Sequence, residues 1–243
     1  MFLSIVIPAF NEEKIIEDTL NRIKSGLNEN QDEDFSWEVI VCDNNSTDQT
    51  AGIASQAGAK VVFEPINQIS RARNRGASIA QGDWLLFIDA DTFPPPGLIS
   101  EMLDLIRCDN HIGCSSTIRV EGGPFWYRLN LEGHNLEMRL FKTGIGLFVL
   151  CQAEAFRSIG GFSTDLYAFE DLDFVNRLKV YGREHRKGFA VLHHYPVITS
   201  GRKGDLYNRW TMTKSSVIAL WYFLTKRIIR GSKALPFWYD GRR

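Results

Sequence analysis

The chain has 243 residues, 44% of them hydrophobic, four cysteines and a formal net charge of -1. That length and apolar content can bury a substantial core without staples, and they suit one large α/β domain better than two small ones. The near-neutral charge gives no electrostatic case for a nucleic-acid partner, and scattered Cys42, Cys108, Cys114 and Cys151 form no CxxC pair. They are expected as reduced thiols of a cytoplasmic protein. The chain opens on a strand-like run, which argues against a signal peptide. No stretch reaches the ~20 apolar residues of a spanning helix; the nearest is Val217 to Leu224.

In chain order, Ser4 to Pro8 (SIVIP) lacks polar alternation, as a strand buried on both faces should. A helix is predicted over Asn11 to Lys24, with Ile15, Ile16, Leu20 and Ile23 at helical spacing. Asn28 to Asp34 reads as an acidic loop, Trp37 to Cys42 as a strand, and Asp48 to Gly58 as a helix ended by glycine. Lys60 to Glu64 is a shorter strand, and Ser70 to Gln81 is a helix closed by Gly82. Trp84 to Asp89 (WLLFID) is another buried strand, and Leu98 to Arg107 is helical after three prolines. Strands alternating with helices imply a parallel sheet covered on both faces, with ligands at the carboxyl ends of the strands. Those ends carry Asn11-Glu12, Asp43-Asn44 and Asp89-Ala90-Asp91.

The second half is less regular. Gly122 to Thr143 is aromatic and basic, a helix with loops. Val149 to Phe156 leads to Gly160-Gly161-Phe162 and the acidic cluster Glu170, Asp171 and Asp173. His193-His194-Tyr195-Pro196 follows a short strand, and no internal repeat or linker divides the chain.

Asp89 and Asp91 flank a small residue at the end of a buried strand. Two desolvated carboxylates there need compensation, and a hard divalent cation with oxygen ligands, Mg²⁺ or Mn²⁺, supplies it. The alternative is local capping of the following turn.

The runs IVIPAFNEE (Ile5 to Glu13), VIVCDNNSTD (Val39 to Asp48), QISRARNRGA (Gln68 to Ala77), GDWLLFIDADT (Gly82 to Thr92) and GGFSTDLYAFEDLDFVNRL (Gly160 to Leu178) occur in that order. Together they resemble the family 2 glycosyltransferases over roughly residues 2–196. The resemblance implies a GT-A fold, that is, a Rossmann-like, mostly parallel mixed sheet flanked by helices, over residues 1–205. It also implies inverting transfer from a nucleotide-diphospho-sugar donor, UDP- or GDP-linked, to a saccharide or lipid-linked acceptor.

On this resemblance, Pro8, Ala9, Phe10, Asn11 and Glu12 line the nucleoside pocket. Asp43 and Asn44 match the paired position that reads the base, with asparagine in place of a second carboxylate; the alternative is a pair of turn residues. Arg71 and Arg73 match a basic helix near the nucleotide, where a guanidinium pairs with Asp43 or lies against the base. Asp89 and Ala90 sit beside the ribose, and Asp91 is the principal metal ligand with Asp89 near it. Asp171 is the expected general base and Glu170 its alternative or partner. Either His193 or His194 completes the metal shell, or both are structural. Arg202 and Lys203 belong to a basic loop able to close over the diphosphate. Glu121, Trp126, Tyr127, Arg128, His134 and Arg139 are candidate acceptor contacts.

Residues 206–243 read as an amphipathic helical extension. Trp210, Trp221, Phe223 and following basic residues suit contact with a membrane surface, peripherally on its inner face, or packing against the domain. A nucleotidyltransferase is disfavoured because PAFNEE lacks a glycine-rich phosphate loop, and a non-catalytic relative because Asp91 and Asp171 are both retained.

Overall fold

The computed structural model describes residues 1–30, 35–144 and 146–201. The basic loop at Arg202 and Lys203 and the extension at 206–243 lie outside the described residues. Eight strands form one sheet: β1 (Phe2–Ala9), β2 (Ser36–Asp43), β3 (Lys60–Phe63), β4 (Trp84–Ile88), β5 (Thr92–Phe93), β6 (His111–Glu121), β7 (Phe148–Gln152) and β8 (Gly188–Ser200). Their order is β3-β2-β1-β4-β7-β6-β8-β5. β1 runs parallel to β2 and β4, β2 is parallel to β3, and β6 is parallel to β8. β7 is antiparallel to both β4 and β6, and β5 is antiparallel to β8.

Among the described residues seven helices accompany the sheet: α1 (Ile16–Glu29), α2 (Thr50–Gln56), α3 (Ile69–Ser78), α4 (Pro96–Cys108), α5 (Phe125–Phe141), α6 (Ala153–Ser158) and α7 (Glu170–Glu184). Alternation along the strands divides the core. Leu3, Ile5 and Ile7 of β1, with Leu86 and Ile88 of β4, pack with α1 and α4 through Leu20, Ile23, Leu98 and Met102. Val6, Leu85 and Phe87 face the other side, against Phe156, Phe162 and Phe174. Phe87 meets Phe162 edge-on at 5.0 Å, and Phe162 stacks on Phe174 at 4.2 Å.

The helix starts differ from the sequence expectation for a physical reason. α1 begins at Ile16, not Asn11, because Asn11 adopts φ 54° and a turn intervenes in which Ile15 and Ile16 donate to Glu12 O. α4 begins at Pro96, where a missing N–H costs nothing in the first helical turn. β6 is not separable from a loop in the sequence, and the short strand before His193 is only the first part of β8. β6 buries Ser115, Ser116 and Thr117, which polarity alone would place outside. Ser115 Oγ donates to Phe148 O and Val197 N donates to Ser116 Oγ, so their polar atoms are satisfied inside the sheet. The four cysteines are unpaired, and burial pushes the Cys42 thiol up to about 12. Among the described residues no helix is long and apolar enough to cross a membrane.

Candidate active site

The carboxyl ends of β1, β2, β3 and β4 share one edge of the sheet. Antiparallel β7 begins there, with Phe148 opposite Ile88, so the residues before it return to the same edge. The N-terminus of α7 also arrives there, which brings segments far apart in sequence around the end of β4.

The β1 and β2 turns are bolted together. Asn11 N donates to Ser46 Oγ (3.0 Å), and Asn11 Oδ1 accepts from Thr47 N (2.8 Å). Glu12 N donates to Thr50 Oγ1 (2.8 Å). Pro8 and Ala9 pair in register with Cys42 and Asp43, and Asp43 Oδ1 accepts from Ser46 N. The turn after β4 is fixed by Thr19 Oγ1 donating to Ala90 O (2.7 Å) and Thr92 N donating to Asp89 O.

Asn44 takes the turn-residue role. Its amide donates to Glu64 O and Ile66 O, and its Oδ1 accepts from Gln68 N. The side chain is consumed in holding the loop before α3 and has no amide hydrogen left to read a base. Arg71 Nε donates to Gln68 Oε1, and Gln68 Nε2 reaches Thr164 O and Leu166 O.

Arg73 turns inward. It neither pairs with Asp43 nor lies open to a nucleotide: it is 1% exposed and spans the centre of the site. Nη2 donates to Asp89 Oδ1 (3.0 Å) and Gly146 O (3.0 Å), and Nη1 donates to Glu170 Oε1 (2.9 Å). The guanidinium carbon lies 5.1 Å from the centre of the Phe162 ring. A Cβ at Gly146 would collide with the guanidinium, so this position requires glycine's close approach.

Glu170 and Asp171 open α7 after Phe169, which takes the left-handed conformation (φ 62°). Asp171 Oδ2 accepts from Gly146 N (2.7 Å) and Oδ1 from Leu172 N (2.8 Å). Glu170 is buried against Arg73, whereas Asp171 keeps partial exposure. Three carboxylates, Asp89, Glu170 and Asp171, therefore gather around one guanidinium. Burial, then the charge of Asp171, raises Glu170 to about 7 despite the opposing pull of Arg73. Burial also raises Asp171, against Arg73 and the two backbone N–H groups. Arg73 itself is raised: burial would lower it, but the surrounding carboxylates, Asp89 first, outweigh that. Glu170 and Asp171 titrate as a pair.

A stability prediction follows from the sign. A carboxyl that is more basic in the folded state than its ordinary 4.5 favours folding at low pH, and that contribution is lost as pH rises to about 7. Melting temperature against pH should therefore carry a downward component between about 4.5 and 7 that Glu170→Gln removes. Parallel wild-type and variant profiles through that window would refute the assignment.

The histidines lie on β8, away from the end of β4. β8 pairs Thr199 with Thr92, beside Asp91, and Ser200 N donates to Asp91 O. His194 lies five residues earlier than Thr199, roughly 16 Å along an extended strand. His194 Nδ1 meets Glu101 Oε1 at 2.5 Å, and His193 lines a cleft of about 260 Å³ with Arg119 and Arg139. Neither imidazole joins Asp91. Among the described residues no group of three or more His, Cys, Asp or Glu side chains stands ready to hold an ion.

Two positioning features carry little sequence signal. Asn74 of α3 donates to Phe162 O and accepts from Phe162 N, and Arg177 donates to Ile159 O and Gly161 O. With Gln68, they tie the 160–170 loop to α3 and α7. Polar residues on a helix face otherwise look like a solvated surface.

The fold is the GT-A fold of nucleotide-sugar transferases, by likeness to solved structures. Mannosyltransferase PcManGT from Pyrobaculum calidifontis, solved with GDP-Man and Mn²⁺, superposes with a TM-score of 0.64 at 17% identity over 96% of this chain and 67% of that one. TarS of S. aureus (residues 1–349), solved with UDP-GlcNAc, gives 0.63 at 20% identity over 82% of this chain and 58% of that one. Residues 4–172 match the model of glycosyl transferase family 2, and the chain belongs to that family. It is 29% identical to a dolichol-phosphate mannosyltransferase of Pyrococcus furiosus, over 55% of this chain and 39% of that protein. It is 34% identical to the Homo sapiens dolichyl-phosphate beta-glucosyltransferase, over 49% and 42% respectively. The aligned part thus spans about two fifths of these curated relatives.

Proposed function

We propose that the protein transfers a sugar, with inversion, from a UDP- or GDP-linked donor to a hydroxyl acceptor, in polysaccharide, glycolipid or cell-envelope synthesis. One observation carries the reading: buried Arg73 joins Asp89, at the end of β4, to Glu170, beside Asp171 at the start of α7. A donor-side group and an acceptor-side group are thereby locked into one rigid unit, as a near-attack geometry requires.

The residues present fit a hard divalent cation. Asp91 is a buried carboxylate just past the end of β4, with Asp89 two residues before it. Asp91 would be the principal ligand and Asp89 its neighbour, and a hard cation there would share oxygen ligands with a diphosphate. When bound, the cation neutralises charge developing on the departing diphosphate. The turn at Pro8 to Glu12 and Asp43 hold the nucleoside. In the transfer, the acceptor oxygen forms its bond to the anomeric carbon as the carbon–oxygen bond to the diphosphate breaks. The electron pair leaves with the nucleoside diphosphate, and the acceptor proton passes to Asp171.

The GDP-Man and UDP-GlcNAc complexes of PcManGT and TarS support the donor class, and the dolichol-phosphate relatives favour a lipid-linked acceptor. That acceptor class suits a peripheral position at a membrane.

Thermal-shift binding tests the donor site without knowledge of the acceptor. Nucleoside diphosphates and nucleotide sugars are compared with Mn²⁺, Mg²⁺ and EDTA, because a ligand selective for the folded state raises its melting temperature. One nucleotide class should stabilise the protein by several degrees with a cation, and neither EDTA samples nor Asp91→Ala should show that rise. An unchanged melting temperature across the panel would overturn the reading.

A further inference from the structure

Helix α5 is built the wrong way round for a helix that faces water. Its inner side is conventional: Tyr127 and Met138 are buried, and Asn135 is fixed to Ile118 N and O by its amide. The opposite side carries Phe125 (72% exposed), Leu129 (62%), Leu136 (57%) and Leu140 (68%). Steps of four, seven and four residues put all four within an arc of about 60° at ~100° per residue. Arg128, Arg139 and, just past the helix end, Lys142 are exposed along one flank, and the carboxylates of Glu132 and Glu137 also reach solvent. The stripe offers on the order of 500 Å² of apolar side chain, large for a water-facing patch but short of the roughly 800 Å² per partner of a stable dimer.

Charge along the chain points to the occupant. Of 28 Lys+Arg and 29 Asp+Glu, residues 202–243 contain ten and two, leaving 18 against 27 in residues 1–201. The near-neutral total hides an acidic body and a strongly basic tail. The tail leaves the described fold beside α5: Gly201 N donates to Glu121 O, and a Cβ on Gly123 would lie 2.9 Å from Gly201 O. Pro124 and the first stripe residue, Phe125, follow directly.

We propose that the outward pole of α5 is a docking surface for an anionic lipid bilayer, with the basic tail supplying the electrostatic share of the attraction. Apolar side chains enter the interface while flanking cations meet headgroup phosphates. Because Ser200 N also binds Asp91 O, docking through this corner sets the donor edge of the sheet next to the bilayer. The inference does not depend on the reaction proposed above.

The intact chain is sedimented with vesicles of phosphatidylcholine alone and with vesicles containing roughly one third phosphatidylglycerol. It should pellet with the anionic vesicles and at least about tenfold less with neutral ones. Leu129→Glu/Leu136→Glu/Leu140→Glu should cut binding to anionic vesicles by at least about tenfold at an unchanged melting temperature. If the glutamate variant does not melt cooperatively, the same three changes to glutamine are used. Equal pelleting of a folded variant, equal pelleting with both vesicles, or no pelleting of the wild type would each overturn the proposal. So would a dimer, seen by light scattering, that the substitutions dissociate. Nucleotide thermal shifts on the same samples separate a failure here from a failure of the donor site.

Discussion

Asp171→Asn should lower turnover by roughly 10²- to 10⁴-fold, the range that general-base catalysis supplies, while leaving nucleotide-sugar binding within about twofold. The asymmetry follows from position. Asp171 lies at the acceptor side, its carboxylate held by Gly146 N and Leu172 N, and only its partner Glu170 touches Arg73. Asparagine can accept one of those backbone bonds but cannot take a proton from an attacking hydroxyl. The measurement is kcat and KM for the donor alongside thermal-shift affinity. A variant that kept turnover would remove Asp171 as base. It would favour an acceptor whose nucleophile is already an anionic phosphate oxygen, since such a group has no proton to surrender.

Arg73→Leu should destabilise the protein by about 3–5 kcal/mol, because removing one partner of a buried ionic set leaves uncompensated charge. Asp89 and Glu170 would lose their direct partner, Asp171 its nearest cation, and Gly146 O a donor. Arg73→Lys should recover only part of the loss, since an ammonium has no planar fork to hold two carboxylates and a carbonyl together. Urea unfolding of the three proteins measures this. The deficit of Arg73→Leu should shrink as pH falls and the stranded carboxyls take up protons, whereas a purely steric defect would not vary with pH. A loss below about 1 kcal/mol at neutral pH would show that the set is not the structural centre of the site.

The elements legible in the sequence are those whose burial is uniform. β1, β2 and β4 are apolar runs because both faces of a central parallel strand are covered, and residue type alone then reports position. β6 is illegible because it carries Ser115, Ser116 and Thr117 into the interior, and of β8 only the short strand before His193 is legible, because the rest carries His193, His194 and Tyr195 to the surface. Their pairing satisfies polar groups that the residue types would have placed in water. In the site, Asp89, Asp91, Glu170 and Asp171 are singled out by the ordered family motifs, since acidic residues after a strand or at a helix start serve equally as local caps. Arg73 is placed near the nucleotide by the same motifs, but its partners lie 16 and 97 residues away, beyond any local pattern.

By itself, the sequence determined the alternation of strand and helix, the family motifs and their order, and the acidic residue types brought to one edge. These follow from local periodicity and from the chemistry of single side chains. Only the tertiary structure decided which charged and polar groups meet. It turned Arg73 inward to three carboxylates and spent Asn44 on the loop before α3. It held His193 and His194 away from Asp91 through the register of β8, and it left the apolar pole of α5 facing outward. Each outcome depends on contacts between residues dozens of positions apart, and a side chain's partner at that range is set by how the sheet is ordered, not by its neighbours along the chain.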